Sequence, residues 1–121
     1  MAEKNSADVG LFGLAVMGQN LALNMADHGF EVAVFNRTSR VTKDFVDANP
    51  NTPGGLVACE NLSDLLGAVK KPRKIVILVK AGPAVDDVVK QLIEAGIEKE
   101  DLLVDCGNSQ RGGIIPIDAG S

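Results

Sequence analysis

The sequence predicts an α/β fold: one doubly wound, parallel sheet with helices on both faces, in a single domain. Three observations predict it. Short apolar runs alternate with segments of helical periodicity from one end to the other. The strongest run, Lys74-Ile75-Val76-Ile77-Leu78-Val79, is continuously apolar after its lysine, as strands covered on both faces are. Glycines punctuate the alternation, with Gly13 ending a strand-like run and Gly29 and Gly96 ending helical ones.

The elements follow in order. Asp8 to Phe12 is a short apolar strand that stops at Gly13. From Gly18 to His28, Leu21, Ala22 and Met25 recur at helical spacing. Phe30 to Phe35 reads as a second strand. Thr38 or Ser39 can cap a second helix with Val41, Phe45 and Ala48 as its stripe. The turn residues of positions 50–55 make a loop before a short strand, Leu56 to Cys59. Asn61 caps a helix carrying Leu62, Leu65, Leu66 and Val69, and the Lys74 strand follows. Pro83 suits the first turn of the next helix, lined by Val85, Val88, Val89, Leu92 and Ile93. Leu102-Leu103-Val104 is a fifth strand, closed by Asp105-Cys106-Gly107-Asn108. Residues 1–110 thus form the domain and residues 111–121 a tail, either irregular or holding one edge strand, Ile114 to Ile117.

Composition narrows the function classes. With 121 residues, 45% of them apolar and no Trp or Tyr, the chain has one aliphatic core. The net charge of −4 and scattered basic residues leave no footprint for nucleic acid. No run approaches the roughly 18 apolar residues a membrane span needs. The polar start, Met1 to Ser6, is unlike a signal peptide. Cys59 and Cys106 form no CxxC pair and His28 is the single histidine, so no metal site is expected. The expectation is two reduced thiols in a cytoplasmic protein.

The chemistry-bearing residues lie at strand ends. Gly13-Leu14-Ala15-Val16-Met17-Gly18 has the spacing of G-x-G-x-x-G, with Ala15 in the middle position. An ordinary tight turn also uses glycine. Here the string follows a strand and opens a helix, the context of a Rossmann-type dinucleotide site, where free N–H groups at the helix start face a pyrophosphate. At the end of the second strand, where NAD-binding domains usually carry an acid, stands Asn36-Arg37-Thr38. The missing carboxylate and the planar cation of Arg37, with Arg40 nearby, favour NADP. Val79-Lys80-Ala81-Gly82 and Gly107-Asn108-Ser109 follow the fourth and fifth strands, where ligands of open α/β sheets bind, although each is also an acceptable plain loop.

Together these strings resemble 6-phosphogluconate dehydrogenase. The matching stretches are GLAVMGQNLALNMADHGF at 13–30, VAVFNRT at 32–38, KKPRKIVILVKAG at 70–82 with AVDDVV at 84–89, and LLVDCGNS at 102–109. The glycine turn and NRT-like segment are shared with the wider β-hydroxyacid dehydrogenase superfamily; the Gly-Leu-Ala-Val-Met-Gly-Gln-Asn and Lys-Ala-Gly strings point to this branch. The resemblance implies NADP as coenzyme. It assigns the pyrophosphate to Gly13, Leu14, Ala15, Val16, Met17 and Gly18, and the 2′-phosphate to Asn36, Arg37 and Thr38. It places Val79, Lys80 and Ala81 on the nicotinamide side, and gives Asn108 contact with both coenzyme and 6-phosphogluconate. It implies a homodimer for the full-length enzyme. The implied reaction moves a hydride from C3 of 6-phosphogluconate to NADP, loses carbon dioxide and yields ribulose 5-phosphate in the pentose phosphate pathway.

Two departures stand out. Cys106 replaces the first glycine of the family's Asp-Gly-Gly-Asn-Ser, and residues 111–121 do not match the family's aromatic and Arg-rich helix. The family's catalytic Lys and Glu and its all-helical domain have no counterpart, so no catalytic residue is assigned. The expectation is the coenzyme portion of the enzyme, inactive in isolation. A stand-alone NADP-binding module or sensor is the alternative. A protein using the fold as an oligomerisation scaffold is disfavoured by the intact turn.

Overall fold

The computed structural model describes residues 7–78, 83–98, 100–105 and 113–115. The strands are β1 (Val9–Phe12), β2 (Val32–Phe35), β3 (Leu56–Ala58), β4 (Lys74–Ile77), β5 (Leu102–Asp105) and β6 (Gly113–Ile115). The helices are α1 (Val16–Asp27), α2 (Ser39–Ala48), α3 (Leu62–Ala68) and α4 (Pro83–Ala95). They build a 6-stranded sheet in the order β3-β2-β1-β4-β5-β6. β1 to β5 pair in parallel, as the Rossmann-type reading requires.

Residue alternation assigns the two faces. Successive strand side chains point to opposite sides of a sheet. Val9, Leu11, Val32 and Val34 accordingly pack with Ala22 and Ala26 of α1 and Phe45 of α2. Phe12, Ala33, Phe35, Ile75, Ile77 and Leu103 pack on the other face with Leu65 and Leu66 of α3 and Val88 and Leu92 of α4. Apart from Lys74 at the start of β4 and Asp105 at the end of β5, strands β1 to β5 are apolar, as strands covered on both faces are.

Details differ from the sequence reading for identifiable reasons. α1 begins at Val16, before Gly18, and its buried line is Gly18, Ala22 and Ala26, with Leu21 and Met25 only half-buried. Small residues occupy that line because the helix lies close on the sheet. In α2, Thr42 and Phe45 are buried while Ala48 is exposed. Thr38 is the N-cap of α2 by backbone conformation, without a side-chain cap bond. Asn61 caps α3 as expected, its Oδ1 accepting the Asp64 N–H at 2.8 Å. The edge strand is described over Gly113–Ile115, beginning one residue before the expected Ile114, and pairs antiparallel with β5; residues 116 and 117 lie outside the described residues. The sheet therefore takes in part of the stretch read as a tail. Cys59 is a free, buried thiol whose pKa burial, with the charge of Asp64, pushes up to about 12; Cys106 lies outside the described residues.

One buried ion pair ties the amino ends of β4 and β5 together. Arg73 donates to Asp101 Oδ2 at 2.8 Å through its guanidinium and to the Leu66 carbonyl at 2.8 Å through Nε. Asp101 also accepts the N–H groups of Arg73, at 2.6 Å, and Glu98, at 2.8 Å. Burial works to raise the Asp101 pKa, but these two N–H groups and the Arg73 guanidinium outweigh it and hold the carboxyl below its usual range. Both carboxylate oxygens of Asp101, and Nε and one terminal nitrogen of Arg73, are thus matched, which is what makes burial of both charges tolerable.

Removing one partner strands the other. Arg73→Ala is expected to cost about 3–5 kcal/mol in urea unfolding. A folded pKa below the unfolded one means stability that is present above the unfolded value, about 3.9, and lost as pH falls through the folded value. Asp101→Asn should therefore flatten the acid limb of stability against pH. What remains is expected from Asp8, which Lys70, at 2.6 Å, and the Glu31 N–H hold low in the same way. An unchanged acid limb in Asp101→Asn would contradict this assignment.

Candidate functional site

The strand order sets where a ligand crevice can open. From β1 the chain passes to β2 on one side, while β4 lies on the other, so the connections part at the carboxyl ends of β1 and β4. The β1–α1 turn occupies that point. Its base is sewn to both neighbouring strands: the Gly13 N–H donates to Phe35 O at 2.9 Å, and the Leu78 N–H donates to Phe12 O at 2.8 Å. Beneath it the Phe12 and Phe35 rings meet edge to face, 5.0 Å apart.

Two glycines make the turn possible. Gly13 has φ +110°, which side-chain-bearing residues rarely adopt, and a Cβ there would strike the Leu78 carbonyl. A Cβ on Gly18 would strike the Gly13 carbonyl oxygen. The start of α1 is thereby pressed onto the end of β1.

Side-chain amides hold the rest. Asn36 Oδ1 accepts the Leu14 N–H at 3.0 Å, and Gln19 Nε2 donates to the Leu14 carbonyl at 2.9 Å. The Asn36 N–H in turn donates to Thr42 Oγ1 at 3.1 Å, and Thr42 is buried. Leu14 is itself buried with both backbone polar groups engaged, whereas Ala15, Val16 and Met17 are exposed. Ala15 is the N-cap of α1 and its methyl cannot cap, so the N–H groups of the first turn keep no intrahelical partner.

At the end of β2, Arg37 and Thr38 are exposed beside the turn. Arg37 makes no hydrogen bond or ion pair among the described residues. Arg40 reaches Asp44 at 3.8 Å, but both are exposed and such a pair is weak. The structure thus brings Gly13 to Gly18 together with Asn36, Arg37 and Thr38. Val79, Lys80, Ala81 and Asn108 lie outside the described residues. Neither Gln19 nor Thr42 was assigned a role from the sequence; Gln19 lies within the Gly-Leu-Ala-Val-Met-Gly-Gln-Asn string, and the signal for Thr42 is only its nearness in sequence to Asn36.

A cavity of about 410 Å³ lies at the opposite, amino end of the sheet, lined by Asp8, Val9, Met25, Phe30, Lys70 and Lys74. Its lysine at position 70 is already paired with Asp8. Among the described residues no group of three or more His, Cys, Asp or Glu is placed to hold a metal, and no helix is long and apolar enough to cross a membrane.

Comparison with known proteins decides the family. Residues 8–114 match the model of the NAD binding domain of 6-phosphogluconate dehydrogenase. The chain belongs to that family. It is 48% identical over 104 residues to the decarboxylating 6-phosphogluconate dehydrogenase of Mus musculus, covering 86% of this chain and 21% of that protein. It is 51% identical over 106 residues to the Trypanosoma brucei brucei enzyme, covering 86% of this chain and 22% of that protein. The Plasmodium falciparum 6-phosphogluconate dehydrogenase structure, studied apo, with NADP+ and with 6-phosphogluconate, matches with TM-score 0.75 and 40% identity, covering 84% of this chain and 21% of that one. The chain therefore spans about a fifth of the length of these dehydrogenases.

The close approach at the turn carries a direct test. Gly18→Ala should lose about 1–3 kcal/mol in urea unfolding through overpacking against Gly13. Gly67, in α3, has nothing within 4 Å of the position its Cβ would take. Gly67→Ala should gain about 0.5–1 kcal/mol. Equal effects of the two variants would contradict the packing described.

Proposed function

We propose that the chain is the NADP-binding portion of a decarboxylating 6-phosphogluconate dehydrogenase, and that alone it binds coenzyme without turning substrate over. The observation carrying this reading is the joining, at the carboxyl end of the sheet, of a clamped glycine turn and an exposed Arg37 without a partner among the described residues. The family match to residues 8–114 supports it.

The residues fit the coenzyme. The uncapped start of α1 offers N–H groups and the positive end of the helix dipole to a diphosphate. Asn36, Arg37, Thr38, Ser39 and Arg40 contain no carboxylate to repel a 2′-phosphate. Arg37 can meet that phosphate through several N–H donors, and the Thr38 hydroxyl can add another. Val79, Lys80 and Ala81 are proposed to line the nicotinamide side, and Asn108 to touch both coenzyme and sugar phosphate. The bound nicotinamide would supply the hydride acceptor. The acid and base of the reaction are proposed to lie in the part of the enzyme that these residues do not span. The same reading proposes a cytoplasmic homodimer serving the pentose phosphate pathway.

Charge-assisted contacts of Arg37 are each worth about 1.5–3 kcal/mol, so Arg37→Ala should weaken NADP roughly ten- to 150-fold in calorimetry and leave NAD nearly unchanged. Equal wild-type affinities for NADP and NAD would contradict the coenzyme assignment. The purified 121-residue chain should bind NADP yet form no NADPH with 6-phosphogluconate, since positioned acid–base groups alone contribute about 10²–10⁴-fold. Robust turnover in a preparation free of full-length enzyme would show that the chain contains a base of its own.

A further inference from the structure

The glycine turn is held in part by a side chain from the helix it opens. Gln19 follows Gly18, and its Nε2 donates to the Leu14 carbonyl at 2.9 Å. That carbonyl belongs to the same planar peptide as the Ala15 N–H, and in a trans peptide the two point in opposite directions. Holding the Leu14 carbonyl toward Gln19 therefore turns the Ala15 N–H the other way. Ala15 is exposed, and its N–H makes no hydrogen bond among the described residues. The preceding peptide is fixed independently, because the Leu14 N–H donates to Asn36 Oδ1 at 3.0 Å. Asn36 makes no bond to the Leu14–Ala15 peptide itself; the hydrogen bond on that peptide is the one from Gln19.

We infer that Gln19 is a positioning residue for the coenzyme diphosphate, aiming the Ala15 N–H at it without touching it. This rests on the NADP-binding reading above. The Gln19 backbone belongs to α1, its N–H donating to the Ala15 carbonyl at 2.9 Å. The helix thus carries both the amide that orients the peptide and the neighbouring N–H groups that complete the cradle. Orientation fixed before binding removes an ordering cost at the moment of binding.

Two variants separate positioning from folding. Gln19→Met keeps length and apolar bulk but has no donor. Gln19→Glu keeps shape, and at neutral pH its carboxylate can only accept; once protonated it regains a donor. Calorimetry on the 121-residue chain uses two probes: NADP, and adenosine 2′-monophosphate, which keeps the 2′-phosphate but has no diphosphate. Losing one net hydrogen bond predicts a roughly three- to tenfold weaker NADP complex in Gln19→Met, and at neutral pH a larger loss in Gln19→Glu, whose carboxylate also repels the Leu14 carbonyl oxygen and the diphosphate. Adenosine 2′-monophosphate should stay within about twofold of wild type, as Arg37 is untouched. As the pH falls, the Gln19→Glu deficit for NADP, taken relative to wild type at each pH, should shrink. Unchanged NADP affinity, or equal losses for the two probes, would overturn the inference. A Gln19→Glu deficit that does not respond to pH would overturn it too, and this arm stands even where Gln19→Met fails to fold. Absence of NADP binding by the wild-type chain would instead sink the coenzyme reading itself.

Discussion

The contact between Gly18 and the carbonyl of Gly13 is the constraint on which the rest of the molecule's functional end depends. No side chain fits between them, so the first turn of α1 is pressed against the end of β1. That approach fixes where the helix starts and which way its unpaired N–H groups face. It also places the small residues Ala22 and Ala26 directly on the sheet, where larger side chains would lift the helix away. The turn is then locked rather than left to fluctuate. Phe35 holds Gly13, Asn36 and Gln19 hold Leu14, and Thr42 holds the backbone of Asn36. Preorganised donors of this kind bind an anion without being reordered first.

Asn36 joins the two halves of the site. Its oxygen is committed to the glycine turn, while Arg37 beside it is exposed and unpartnered among the described residues. A change at the end of β2 is therefore transmitted to the turn through two hydrogen bonds, from the Leu14 N–H to Asn36 Oδ1 and from the Gly13 N–H to the Phe35 carbonyl. At the other end of the sheet, Arg73 and Asp101 fasten β4 to β5 and to the end of α3, so the frame is rigid where no ligand is expected. The amino-end cavity beside Phe30 is lined by residues already engaged with one another, such as Asp8 and Lys70.

Much of this was legible in the sequence, and what was not has a physical reason. The alternation of apolar runs and helical stripes is local, and it located all five parallel strands to within about two residues of their bounds. The glycine spacing is equally local, because the demand for a missing side chain is written at the position itself. Arg73 and Asp101, by contrast, are 28 residues apart and meet only once β4 and β5 pair. Leu14 and Asn36, 22 apart, meet only after β1 and β2 pair. The stripe read for α1, Leu21, Ala22 and Met25, was right at Ala22 but missed Gly18 and Ala26, because periodicity counts apolar bulk and the burial here goes to glycine and alanines. The edge strand begins at Gly113, one residue before the expected Ile114, because a glycine carries no apolar signal and is recruited only by pairing with β5.

The central claim is that coenzyme binds at the carboxyl end of the sheet, over the clamped turn. Backbone amide NMR of the chain, titrated with NADP, tests it most directly. The account predicts the largest shift changes at Ala15, Val16, Met17 and Gly18, with a second group at Arg37 and Thr38. Changes concentrated instead at Asp8, Phe30, Lys70 and Lys74, around the cavity at the amino end, would contradict it.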